Sequence, residues 1–140
     1  MHRSGLSRLF AVAILMVSTA CGSSSTSSLP TTPSNPITET FAGSLSVNGA
    51  VTNTFTITVP GTVTATLTAV GPDPTVPVGM SIGTWSGTTC SVGVGLFQDK
   101  AVQGAVMVAT VSAPGTLCLR MYDSGTLQTP VTFSVDVVHP

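Results

Sequence analysis

Charged side chains are scarce in this chain, with four Lys and Arg and five Asp and Glu in 140 residues, or 6%. A nucleic-acid footprint needs a basic stripe, and a solvated tail needs a run of one sign; neither can be assembled here, so no nucleic-acid partner is expected. Histidine is limited to His2 and His139, and no Cys-x-x-Cys pair occurs, which removes the usual donor sets of a metal centre. Long apolar runs are also missing. The longest, Leu9–Val17, is nine residues, whereas a membrane-crossing helix needs about 20. Every later run is broken within a few residues by Thr, Ser, Gly or Pro, and no stretch carries the period of an amphipathic helix.

What is present begins with an export signal. His2, Arg3 and Arg8 precede the apolar stretch Leu9–Val17, and the small residues Ser18, Thr19 and Ala20 follow it, so residues 1–20 are read as a signal peptide. The next residue is Cys21, and Val17 to Gly22 resembles the bacterial lipoprotein signal, which implies lipid attachment at Cys21 and a membrane as partner through that anchor. Ser18 stands where such signals most often have Leu, and plain cleavage after Ala20 is the alternative. The Ser/Thr/Pro-rich stretch 21–36 cannot bury apolar surface and reads as a flexible linker of the kind a tethered domain needs.

Three cysteines make an odd number for an oxidising compartment. Acylation of Cys21 would consume one. Cys90 and Cys118 then form a natural disulfide pair, two independent buried thiols being the alternative.

From residue 37 to 140 the pattern has a period of two. Threonines at 52, 54, 56 and 58 alternate with Val51, Phe55, Ile57 and Val59; Thr62 to Thr68 alternate with Val63, Ala65, Leu67 and Ala69. These two runs are expected to neighbour each other across Val59-Pro60-Gly61. Leu117–Tyr122 and Val131–Val137 follow the same rule, and further strands are read at 41–47, 78–84, 91–97 and 104–111. Asn48-Gly49 suits a type I′ hairpin. The expected fold is all-β: one antiparallel β-sandwich or jelly-roll-like domain of about eight strands.

The runs Phe41-Ala-Gly-Ser-Leu, Phe55-Thr-Ile-Thr-Val, Gly61-Thr-Val-Thr-Ala-Thr-Leu, Ala113-Pro-Gly-Thr-Leu-Cys-Leu-Arg-Met and Thr132-Phe-Ser-Val-Asp-Val lie in an order that resembles the bacterial pre-peptidase C-terminal domain. The resemblance implies a jelly-roll-like sandwich of the kind attached to secreted enzymes and lipoproteins. This body is poorer in acids and aromatics than that family, and no peptidase precedes it, so an accessory role to a fused enzyme is not expected.

No catalytic set, cofactor or metal site is expected. His139 is the single histidine of the body and is read as a solvated near-terminal residue; Asp73, Asp99 and Asp123 are read as turn residues, a loop-clustered calcium site being the alternative. Trp85, Phe97 and Tyr122 are the rings available for recognition, although scarcity of aromatics argues that Trp85 is in the core. The expected function is a non-catalytic, lipid-anchored cell-envelope module that binds a protein, glycan or envelope component. The alternative is an assembly component acting through edge-strand pairing. A concave patch with an exposed aromatic would favour the first, a flat unguarded edge strand the second.

Overall fold

A computed structural model describes residues 35–140. The signal peptide, Cys21 and nearly all of the 21–36 stretch lie outside the described residues. Eight strands follow one another: β1 (Ile37–Leu45), β2 (Ala50–Ile57), β3 (Gly61–Gly71), β4 (Val78–Trp85), β5 (Cys90–Ala101), β6 (Val106–Val111), β7 (Gly115–Tyr122) and β8 (Val131–His139). They form two four-stranded antiparallel sheets, ordered β1-β8-β3-β6 and β2-β7-β4-β5. This interleaved order is that of a jelly roll, and the all-β sandwich expectation holds.

The period-two pattern becomes burial directly. On β8, Val131, Phe133, Val135, Val137 and His139 face inward while the intervening residues are exposed or half-buried. Leu45, Phe55, Ile57, Val63, Leu67, Met80, Ile82, Leu119 and Met121 complete a core shared by both sheets. In β3 the alternation slips at a bulge between Leu67 and Ala69, so that Val70 rather than Ala69 is the next buried residue.

Two local expectations are corrected. The runs β2 and β3 do not pair: β2 pairs with β7, and β3 with β6 and β8, so Pro60 lies where the chain passes between sheets. Asn48-Gly49 is not a type I′ hairpin either. Asn48 alone has positive φ, at 54°, and Gly49 N–H donates to Ser46 O at 2.9 Å, which places Asn48 third in a type II-like turn. That turn carries the chain from one sheet to the other instead of folding a hairpin within one.

Cys90 and Cys118 are joined by a disulfide, with Cα atoms 5.8 Å apart. The bridge ties β5 to β7 across the strand between them, β4. It passes where Gly83 pairs with both Cys118 and Val92, and a side chain at Gly83 would collide with the Ser91 carbonyl.

Candidate functional site

The outer face of the second sheet is built on unusually small side chains. On the central strand β4 the inward residues Val78, Met80 and Ile82 alternate with Gly79, Ser81 and Gly83. Of these three, Ser81 forms the floor of a recess on this face. The Tyr122 ring lies over Gly79, where any Cβ would strike it. Arg120 and Tyr122 rise from β7 on one side of the floor, and Phe97 and Val92 from β5 on the other. Together they line an open pocket of about 260 Å³.

The walls differ in chemistry. Phe97 is 51% exposed and Val92 39%, both at odds with their hydrophobicity. Phe97 reaches this face because it pairs directly with Ser81, and because β5 bulges between Phe97 and Val92, where β4 advances only from Ser81 to Gly83. Opposite, the Arg120 guanidinium lies 5.2 Å from the centre of the Tyr122 ring. The Tyr122 hydroxyl donates to Asp99 Oδ1 at 2.5 Å, and Ser124 Oγ donates to the Asp99 carbonyl at 2.6 Å. Burial and the Asp99 carboxylate push the Tyr122 phenol up to about 12, so it remains a neutral donor. With Asp99 engaged by Tyr122, the guanidinium of Arg120 has no carboxylate within salt-bridge distance among the described residues.

The other candidates are dispersed. Asp73 accepts from Thr75 N–H (2.9 Å) and Thr75 Oγ (2.7 Å), a local turn whose hydrogen bonds hold its carboxyl below the usual range. Asp123 accepts from Asn48 N–H at 2.8 Å and from the N–H groups of Gly125, Thr126 and Leu127, and is likewise lowered, first by Asn48. It thereby fastens the 46–49 turn to the 123–127 loop. The structure does not gather Asp73, Asp99 and Asp123 into one cluster, and Asp99 sits within β5 rather than in a loop.

His139 is not solvated, contrary to expectation. It is 2% exposed because it is the fifth inward position of β8, where it stacks at 5.3 Å against Phe55 and bonds Glu39 Oε1 at 3.0 Å. Trp85 is half-buried at the end of β4 and does not belong to the core cluster; Phe55 and Phe133 fill that role. Phe97 and Tyr122 were candidates from the sequence, and Arg120 was not. The signal that could have found the site is Gly79-Met-Ser-Ile-Gly83, a strand whose outward positions are all small.

Taken together, these strands define a jelly-roll β-sandwich with an open pocket on the outer face of its second sheet. No protein-family model matches the chain, nor does any curated protein sequence, so the likeness to pre-peptidase C-terminal domains stays one of strand layout. Among solved structures the chain is similar to Aeromonas hydrophila PliG, a periplasmic lysozyme inhibitor of g-type lysozyme. That match has a TM-score of 0.52 and 14% identity, covering 73% of this chain and 86% of PliG. A likeness at that identity supports the shared fold alone.

Proposed function

We propose that this chain is an exported, non-catalytic module of the cell envelope that binds a protein through the outer face of β2-β7-β4-β5. Residues 1–20 direct export, Cys21 carries the lipid, 21–36 is the spacer and 37–140 is the binding domain. The observation that carries the reading is the pocket between Phe97 and Arg120. An exposed aromatic, a second ring and an arginine around a concave floor are the residue types on which protein interfaces concentrate their binding energy. A disulfide accords with an oxidising compartment. The similar Aeromonas protein is itself a periplasmic inhibitor of an enzyme, and by analogy a protein partner is preferred over a glycan.

Site-specific photo-crosslinking in intact cells tests this. A crosslinker at position 97 is expected to give one discrete adduct that the same group at Thr64, on the other sheet, does not. Adducts that are equal from both positions would overturn the reading. The anchor is tested separately by the mass of protein purified from its own membranes. Acyl mass on a chain starting at Cys21 supports the tether, and an unmodified chain removes it.

The second reading, self-association, rests on β6. This edge strand, Val-Met-Val-Ala-Thr-Val, carries no charge, and Val106 and Val108 are 49% and 57% exposed. Leu67 N–H donates to Ala105 O, and the antiparallel alternation then turns the backbone groups of Val106, Val108 and Thr110 to the open side. Gln98 Nε2 occupies the Val106 carbonyl at 2.9 Å, so the edge is guarded at one end. Sedimentation of wild type and Val108→Lys decides: a dimer lost on adding the lysine favours edge pairing, and a monomer at all concentrations excludes it.

A further inference from the structure

The pocket face is not merely apolar; it holds a cation with no carboxylate partner among the described residues. The folded body has one lysine and one arginine, Lys100 and Arg120, against Glu39, Asp73, Asp99, Asp123 and Asp136. In so acidic a body an arginine would be expected to find an internal carboxylate, yet among the described residues none lies within salt-bridge distance of its guanidinium. Asp99 is held by Tyr122, and Asp123 by Asn48 and the N–H groups of its own loop. Arg120 instead rests on the Tyr122 ring, half-buried, and carries a planar fork of donors on this face.

Resting on the protein-binding reading above, we propose that this face takes a carboxylate of a protein partner, from an acidic side chain or a chain terminus that neighbours an apolar residue. Arg120 receives the carboxylate, and Phe97 and Val92 receive the apolar neighbour. Charge complementarity selects the first element, since the guanidinium is the one strong cation of the pocket. The second follows from the opposite wall, whose exposed surface is hydrocarbon. A sugar is the poorer fit. Its ring of hydroxyls needs several fixed donors and acceptors, and apart from Arg120 and the Tyr122 hydroxyl the lining offers only Ser81, which is 1% exposed and 3.5 Å from the Arg120 carbonyl. The Tyr122 hydroxyl is already donating to Asp99.

The test is an NMR titration of the protein as its host exports and processes it, with N-acetylphenylalanine, its uncharged amide and trigalacturonate as probes. Expected are shifts at Val92, Phe97, Arg120 and Tyr122, including the Arg120 side-chain N–H. The acid should bind about tenfold more tightly than the amide, an advantage erased in Arg120→Gln. Arg120 points outward from the sheet, so that variant should retain the wild-type spectrum elsewhere. Equal binding of acid and amide, lost in Phe97→Ala, would overturn the carboxylate assignment while leaving the face as a docking site. No shift with either would overturn the carboxylate assignment, and the crosslinking from position 97 would still decide the docking reading by itself. Preference for trigalacturonate, dependent on Arg120, would overturn the peptide assignment in favour of an acidic glycan.

Discussion

Removing the Cys90–Cys118 bridge by the double substitution Cys90→Ala/Cys118→Ala should cost much of the stability of this domain. The two residues are 28 apart in sequence, and cross-linking a loop of that size removes denatured-chain entropy worth about 3–4 kcal/mol. Small domains have about 5–15 kcal/mol in total. The loss corresponds to a fall in Tm of about 12–25 °C for a folded body of this size. Alanine suits the fully buried Cys118 position, since a serine there would add an unpaired hydroxyl. Urea unfolding followed by the fluorescence of Trp85, the chain's one tryptophan, measures the change. The m-value should rise as well, because the unbridged denatured chain exposes more surface. A loss below about 1 kcal/mol would refute the entropic reasoning. A large loss with an unchanged m-value would place the effect in native packing over Gly83 instead.

Three further outcomes are expected. Tyr122 is the chain's one tyrosine, so ultraviolet titration reads it alone. It should ionise near 12 in the folded protein, and Asp99→Asn should bring it back toward 10. Because its folded value is raised, its contribution to stability is complete below 10 and lost between 10 and about 12. Asp123 has the opposite sign. Its lowered carboxyl contributes above the ordinary 3.8 and ceases to as pH falls through the folded value, so the destabilisation caused by Asp123→Ala should be largest at neutral pH and vanish in acid. Chemical denaturation at several pH values follows that difference. Asn53, half-buried on edge strand β2, has its Nδ2 buried without a hydrogen-bond partner. Asn53→Val should therefore stabilise the domain by about 1–2 kcal/mol in the same urea assay, and a loss of stability would show that the amide is satisfied.

Strand identity was legible in the residues because side-chain burial in a sheet obeys a local period of two. Val131–Val137 and Thr62–Leu67 each show it without help from any partner. Even His139 was readable, as the next odd position after Val137, but its place near the end of the chain suggested solvent instead. The three cysteines likewise pointed to one pairing in the body, since assigning Cys21 to a lipid left Cys90 and Cys118 as natural mates, and those two are joined.

Pairing order was decided by the tertiary structure. Period two says which face of a strand is apolar and nothing about which strand lies beside it, so β2 and β3, adjacent in sequence, fell into different sheets. The turn at Asn48 illustrates the same limit. Its residues permit positive φ, and only the packing of two sheets determined that one residue uses it and the chain crosses over. The site itself belongs to this second class. Ser81 becomes a floor only when β7 and β5 flank it, and Phe97 faces the pocket because a bulge in β5 sets its register against Ser81. Residue types are written in the chain; which of them share a surface is fixed by non-local pairing, and that is why strand composition was readable in advance and the meeting of Arg120 with Phe97 was not.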